Sequence, residues 1–202
     1  MSFRIWDFSR EDRERESLQS SSQEFRNPPR RILLICPQRI GDVLLATPLA
    51  RSLKRAWPEA RLDMLVFRGA EGALQGNPDI EQVITVPRRA TLGEKFVQLR
   101  SLWRSYDLAL SPLPTDRARL YCWIAGRRRI GLLQPGTGER LKGLLLNQWD
   151  WFDDLDTHTV AMGLRLAEML GVAPCFEVVP PRMRPARLDG LLAPLAEAPF
   201  AA

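Results

Sequence analysis

The stretch RILLICPQRIGDVLLATP, residues 31–48, decides the fold. Its first part, 32–36, is a short apolar run of strand-forming residues ended by Pro37, which predicts a buried parallel strand. A tight turn through Gly41 follows and leads into a helical pattern from about Asp42 to Trp57. A buried strand that passes through a turn into a helix is typical of the first part of a β-α-β unit.

The rest of the chain repeats this alternation. Strands are predicted over 62–67, 82–86, 108–110 and 129–133, and helices near 92–103, 117–125 and 159–170. Gly126 and Gly171 are expected to end the last two helices. The polar stretch 134–156 is predicted to be a loop or a mobile flap. The expected fold class is α/β, a Rossmann-like parallel sheet with helices on both faces.

Three segments are expected along the chain. Residues 1–30 are rich in Arg, Glu, Ser and Gln and have no apolar core, so they are predicted to be a disordered extension and not a signal peptide. Residues 31–173 form the Rossmann-like domain. Residues 174–202 are expected to be a linker and the truncated start of a missing second domain. No apolar run is long enough to span a bilayer.

The charge and the cysteine content limit which classes of function are possible. The net charge is +5, and all but three of the 29 basic residues are arginines. Arginine binds phosphate bidentately, so this excess indicates an anionic substrate or an anionic membrane surface, although a bias in the nucleotide composition of the source genome would produce it too. The charges are scattered and carry no nucleic-acid-binding signature. Cys36, Cys122 and Cys175 are far apart, which indicates reduced thiols in a cytosolic protein and no metal site.

The turn after the first strand is the candidate site, because ligands of such sheets bind at the carboxyl ends of the strands. Gly41 allows a ligand to approach the backbone closely. Asp42 admits two interpretations, a helix cap worth about 1 kcal/mol or a catalytic carboxylate. If the regular helix begins at Thr47 and Pro48, Asp42 is freer to face a substrate; otherwise Pro48 bends one long helix. The turn lacks the GxGxxG pattern of nicotinamide and flavin sites.

The segment RIGDVLLATPLARSLKRAWPEARLDMLV, residues 39–66, resembles the opening of glycosyltransferase family 9, the ADP-heptose:lipopolysaccharide heptosyltransferases. Four further stretches match in order, and the resemblance covers about residues 31–185. Within the family the pattern is closest to the heptosyltransferase III type. The matching stretches are 77–80, 106–110, 126–131, and 158–160 with 170–172.

The resemblance implies the N-terminal, acceptor-side half of a two-domain GT-B enzyme that inverts the anomeric carbon without a metal or cofactor. Asp42 would be the general base that takes the proton of the acceptor hydroxyl. The candidate substrate-binding residues are Arg39, Gly41, Arg117 and Arg119; the arginines would reach phosphates of the acceptor, or else are solvated surface residues. His158, the single histidine, caps the last helix or lines the cleft.

The expected partners also follow from the resemblance. They are the donor ADP-heptose, a lipid-linked core oligosaccharide as acceptor, and the inner-membrane surface, which the protein would contact from the cytoplasm. This chain alone would be inactive for lack of the donor domain, so a separately encoded C-terminal donor domain is a candidate partner. Two alternatives stay open: a non-catalytic half-domain that binds lipopolysaccharide core or a protein, and a nucleotide-binding Rossmann protein unrelated to sugars.

Overall fold

One parallel sheet organises the chain. The computed structural model describes residues 28–89, 93, 99–136, 138–152 and 157–182, so residues 1–27 of the predicted extension lie outside the description. Its strands run in the order β3-β2-β1-β4-β5-β6, and every neighbouring pair is parallel. This order confirms the predicted Rossmann-like fold. The strands are β1 (Arg31–Cys36), β2 (Arg61–Phe67), β3 (Gln82–Val86), β4 (Tyr106–Ser111), β5 (Gly126–Leu133) and β6 (Gln148–Trp151).

Helices cover both faces of the sheet. The strands alternate their side chains, so β1 places Ile32 and Leu34 in one core and Leu33 and Ile35 in the other, all with no exposed area. A 3-10 turn (Glu71–Leu74) follows β2, and residues 99–102 are helical. The helices are α1 (Ile40–Leu45), α2 (Thr47–Ala56), α3 (Asp116–Ala125), α4 (Glu139–Gly143) and α5 (Thr159–Glu168). The first core contains residues of α1, α2 and α5, and the second contains residues of α3.

The strand order creates a switch point beside β1. The chain runs from β1 outward to β2 and β3, then returns to place β4 on the other side of β1. Connections on the two sides of such a point leave in opposite directions, which opens a crevice at the carboxyl ends of the strands. The turn that contains Gly41 and Asp42 follows β1 directly, so the fold places it at this crevice.

The predicted helix from Asp42 to Trp57 is two helices. α1 ends at Leu45 and α2 begins at Thr47, with Pro48 in the first turn of α2. Proline has no N–H and its ring crowds the preceding turn, so the break falls just before it. The regular helix therefore begins at Thr47, and Asp42 lies in the first turn of a short helix of its own. Ala46, not Thr47, is the residue that precedes α2.

One local prediction at the far side of the sheet is wrong: the stretch 134–156 is not a loop, since it contains α4 and β6. α3 ends directly before Gly126, as predicted, but this residue is not in the left-handed conformation; its φ is −94°, and it is the first residue of β5. A side chain there would bring a Cβ within 2.5 Å of the Ala109 Cβ, so close packing against β4 requires this glycine.

The remaining predicted elements can be compared where the chain is described. Of the helix predicted near 92–103, Leu99 and its next three residues are helical, and most of the rest lies outside the described residues. The last helix, α5, is followed by Gly171 with φ +69°, the left-handed conformation predicted for it. Residues 174–182, the described part of the predicted linker, have no regular secondary structure.

Candidate functional site

Asp42 lies at the carboxyl end of β1 and is half-buried. Its Oδ2 accepts a hydrogen bond from the backbone N–H of Arg39 at 3.2 Å, the residue that precedes α1. No hydrogen bond from a described residue reaches Oδ1. One carboxylate oxygen thus anchors the side chain to the turn, and the other is available to a ligand. Both interpretations of Asp42 that the sequence left open are compatible with this geometry, because the cap occupies one oxygen.

Gly41 leaves empty space beside this carboxylate. It is exposed, and a Cβ built on it would have no atom within 4 Å. Its backbone does not have a positive φ, so the fold itself does not require glycine at this position. The open space leaves room for a ligand to approach the main chain closely at this position.

The Cys36 thiol lies beneath the same turn, at the end of β1, and is fully buried. Burial raises the pKa of Cys36 well above its usual range, and the negative charge of Asp42 raises it further. The thiol therefore stays protonated and does not act as a base or nucleophile at this turn.

A pair of arginines stacks on one aromatic ring at the same edge of the sheet. The guanidinium carbons of Arg88 and Arg117 lie 5.1 Å and 5.2 Å from the centroid of Phe67, the last residue of β2. Arg117 also donates two hydrogen bonds to the carbonyl of Arg88, at 3.1 Å and 3.2 Å. Among the described residues, no carboxylate pairs with either arginine. Two exposed arginines on one ring without such a partner are candidates to bind an anionic ligand.

Arg39 belongs to the same edge, since it follows β1 and its side chain is exposed. Arg68 follows β2, and Arg89 follows Arg88 beyond β3; both are exposed as well. Parallel strands end at one edge, so the connections after β1, β2, β3 and β4 all bring arginine to the edge of the sheet at which Asp42 lies. Exposed arginines are thus distributed along this edge.

Arg119 is not part of this group. Only 2% of it is exposed, and its guanidinium pairs with Asp116 and with Glu139, the latter at 2.7 Å. A buried guanidinium that two carboxylates already neutralise does not reach out to a phosphate. We therefore interpret Arg119 as a residue that joins α3 to α4, in place of the predicted substrate contact.

Sequence reasoning missed Arg88 and Phe67. Arg88 lies beyond β3, two residues after its last residue, and nothing in the local pattern separates it from other surface arginines. Its relation to Phe67 and Arg117 depends on three strand ends that meet only in the folded chain. His158, by contrast, caps the last helix, which is one of the two predicted alternatives. It precedes α5, and its Nδ1 accepts a hydrogen bond from the Val160 N–H at 3.2 Å.

Two other surface features lie away from this edge. A hollow lined by Leu99, Trp103 and Trp123 opens where β4 and β5 begin, the opposite edge of the sheet. Trp103 and Trp123 pack edge to face there, with centroids 5.8 Å apart. Within the part of the chain that the structure describes, no helix has the length and apolar character needed to cross a bilayer.

Comparison with known proteins relates the chain to heptosyltransferases. No family model matches it. It is 29% identical over 142 residues to lipopolysaccharide heptosyltransferase 3 of Escherichia coli K12. The aligned region covers 65% of this chain and 40% of that protein. It is also 29% identical over 83 residues to lipooligosaccharide heptosyltransferase 2 of Haemophilus ducreyi, covering 40% of this chain and 24% of that one.

Solved structures share the fold. A family 9 glycosyltransferase from Veillonella parvula superposes with a TM-score of 0.66 and 17% identity, covering 85% of this chain and 51% of that one. The Escherichia coli heptosyltransferase WaaC, solved with ADP-2-deoxy-2-fluoro heptose, superposes with a TM-score of 0.61 and 19% identity over 84% of this chain and 55% of WaaC. The chain is thus similar in sequence to heptosyltransferases and in fold to a family 9 glycosyltransferase, and it spans about half their length or less.

Proposed function

We propose that this chain is the acceptor-binding part of a heptosyltransferase of lipopolysaccharide synthesis, with Asp42 as its general base. One observation carries the proposal. In a chain similar to heptosyltransferases, a carboxylate with one free oxygen lies at the switch point of the sheet, beside a glycine whose Cβ position is empty. The crevice at this point is where sheets of this order bind ligands.

The chemistry follows from that geometry. The free Oδ1 of Asp42 accepts the proton of an acceptor hydroxyl while the hydroxyl oxygen forms a bond to the anomeric carbon of the donor sugar. The bond from that carbon to the diphosphate oxygen breaks on the opposite side, so ADP leaves and the configuration inverts. The Arg39 N–H holds Oδ2 at 3.2 Å, which keeps the carboxylate oriented through the proton transfer. No step of this scheme requires a metal ion.

The arginines are proposed to bind the phosphates of the acceptor. Arg88 and Arg117 are exposed, both contact the ring of Phe67 and have no carboxylate partner among the described residues, so an anionic ligand would supply the missing counter-charge. Arg39 and the backbone at Gly41 would complete the contact next to Asp42. The donor would be ADP-heptose, by similarity to the relatives.

The acceptor in this proposal is a lipid-linked core oligosaccharide, bound from the cytoplasm at the inner face of the inner membrane. The exposed arginines at the carboxyl edge favour that location, because each basic side chain near an anionic membrane contributes about 1 kcal/mol. A separate C-terminal donor-binding polypeptide is also proposed as a partner; the matched region covers 40% of the first relative.

A transfer assay tests the role of Asp42. The chain is incubated with ADP-heptose and a phosphorylated core acceptor, alone and with the separately expressed C-terminal half of a relative, and heptosylated product is measured by mass spectrometry. We expect transfer in at least one mixture and a loss of about a thousandfold or more in Asp42→Asn. Asparagine can still accept the Arg39 N–H but cannot take a proton, so the turn is preserved. No transfer in either mixture refutes the enzymatic proposal.

A binding assay separates the enzyme from a non-catalytic binding module. Binding of the phosphorylated acceptor and of its phosphatase-treated form is measured at two salt concentrations. Arg117→Gln is expected to weaken binding of the phosphorylated form alone and to reduce its salt dependence. Arg127→Gln is the matched control, because it removes the same charge from an exposed site at the start of β5, on the opposite edge. Acceptor binding without transfer in any mixture would favour the binding module.

A further inference from the structure

We propose that Thr47 is the residue that positions Asp42, because its hydroxyl replaces the hydrogen bond that Pro48 cannot make. The inference rests on the proposed role of Asp42 as base and adds a residue to that machinery. Thr47 has no exposed area and contacts no solvent, so its side chain acts only through its neighbours.

The break between α1 and α2 leaves a carbonyl without its helical partner. In a continuous helix, the carbonyl of Leu44 would accept from the N–H of the residue four positions on, and that residue is Pro48, which has none. The hydroxyl of Thr47 donates to this carbonyl at 2.7 Å. The residue directly before the proline therefore supplies the hydrogen bond that the proline cannot donate, and the last turn of α1 stays closed.

A second hydrogen bond connects this hydroxyl to a segment that is distant in sequence. Residues 175–182, here called the strap, run along α2 without regular structure. The N–H of Val179 donates to the Thr47 Oγ1 at 3.2 Å, and the N–H of Arg182 donates to the carbonyl of Gln75 at 2.8 Å. Glu177 pairs with Arg51 and with Arg55, the latter at 2.9 Å. The Thr47 hydroxyl is thus held from both sides, as donor to α1 and as acceptor from the strap.

The consequence reaches Asp42 through α1, which is only six residues long. The Ala46 N–H bonds to the carbonyl of Asp42 at 3.1 Å and to that of Val43 at 3.3 Å, so the turn that begins at Asp42 ends directly before Thr47. This turn contains Leu44, whose carbonyl the Thr47 hydroxyl holds. A helix this short has almost no stability of its own and depends on its ends. Without the Thr47 hydroxyl, α1 would fray from its carboxyl end and the Asp42 carboxylate would lose its fixed position.

Ser52 provides a matched control within the same helix. Its hydroxyl is 1% exposed, donates to the carbonyl of Pro48 at 2.8 Å and accepts the N–H of Cys175 at 2.8 Å. It therefore joins α2 to the strap in the same way as Thr47, but neither of these hydrogen bonds involves α1. Removing it tests the loss of one buried hydroxyl and one strap contact without touching the turn at Asp42.

Hydrogen exchange and kinetics on the full chain decide the proposal. In Thr47→Val, which keeps the shape but removes the hydroxyl, we expect the Ala46 amide to exchange about tenfold faster relative to Trp57, the reference at the end of α2. In the transfer assay, kcat should fall about tenfold with KM within about twofold of wild type. Thr47→Ser should restore both quantities, and Ser52→Ala should change neither.

Each contrary result has a distinct meaning. Unchanged Ala46 exchange in Thr47→Val overturns the positioning role, whatever the activity. Equal losses in Thr47→Val and Ser52→Ala overturn it too, since they would trace the effect to the strap or to general stability. A wild-type chain that transfers no heptose under any condition refutes the proposed function and with it the predicted kcat change, while the exchange data still decide whether Thr47 holds the turn.

Discussion

Replacing Gly41 with alanine separates a functional role of this glycine from a structural one. The residue is the second of α1 and is exposed, and an added Cβ meets no atom within 4 Å. Its φ is not positive, so alanine can adopt the same backbone conformation. The structure therefore offers no reason for glycine here, and only a ligand that occupies the space beside Asp42 would make the methyl group harmful.

The expected magnitudes have opposite signs for stability and for function. Alanine in a helix is favoured over glycine by about 0.5–1 kcal/mol, which for a chain of this size raises Tm by about 1–4 °C. If an acceptor sits against the Gly41 backbone, the methyl group should weaken its binding or its transfer at least about tenfold, a loss of about 1.4 kcal/mol. A gain in stability combined with a loss of function is the diagnostic result.

Thermal unfolding and the acceptor-binding assay are run side by side on the variant. Gly126→Ala is the control, because its Cβ would come within 2.5 Å of the Ala109 Cβ and 2.9 Å of the Arg128 carbonyl. That variant should lose about 1–3 kcal/mol of stability with no specific effect on binding by the folded fraction. Normal acceptor binding by Gly41→Ala would refute the placement of the acceptor, and a lowered Tm would refute the geometry of the turn.

Further predictions concern the contacts of α3 and α4. Hydrogen bonds from Lys142 and Arg119 lower the pKa of Glu139 below 4.5. The folded state therefore binds a proton less readily than the unfolded state, and the free energy of unfolding should decline as pH falls below about 4.5. In Glu139→Gln this acid-side decline should flatten, and stability at pH 7 should fall by about 3 kcal/mol, because a buried guanidinium loses one of its two partners. Thr115→Ala should cost about 1 kcal/mol in chemical denaturation, since its Oγ1 accepts the Ala118 N–H at 3.3 Å; an unchanged midpoint would contradict the cap.

Where the chain follows simple periodicity, the sequence was sufficient to predict the structure. β1 and β2 are nearly continuous apolar runs because a central parallel strand is buried on both faces. β6 does not follow this rule. It reads Gln-Trp-Asp-Trp, and the buried positions are Gln148 and Asp150. Asp150 accepts from Arg165 of α5 at 3.0 Å, so a partner distant in sequence compensates a pattern that looks like a loop.

The sequence by itself determined the fold class, the turn that carries Asp42 and the resemblance to heptosyltransferases, because these depend on local spacing and on contiguous motifs. Tertiary structure decided which arginines share the site. Arg117 and Arg119 are two residues apart on α3, yet the first stacks on Phe67 and the second is buried between Asp116 and Glu139. A helix turns by about 100° per residue, so positions two apart face different surroundings, and the strand order sets what those surroundings are.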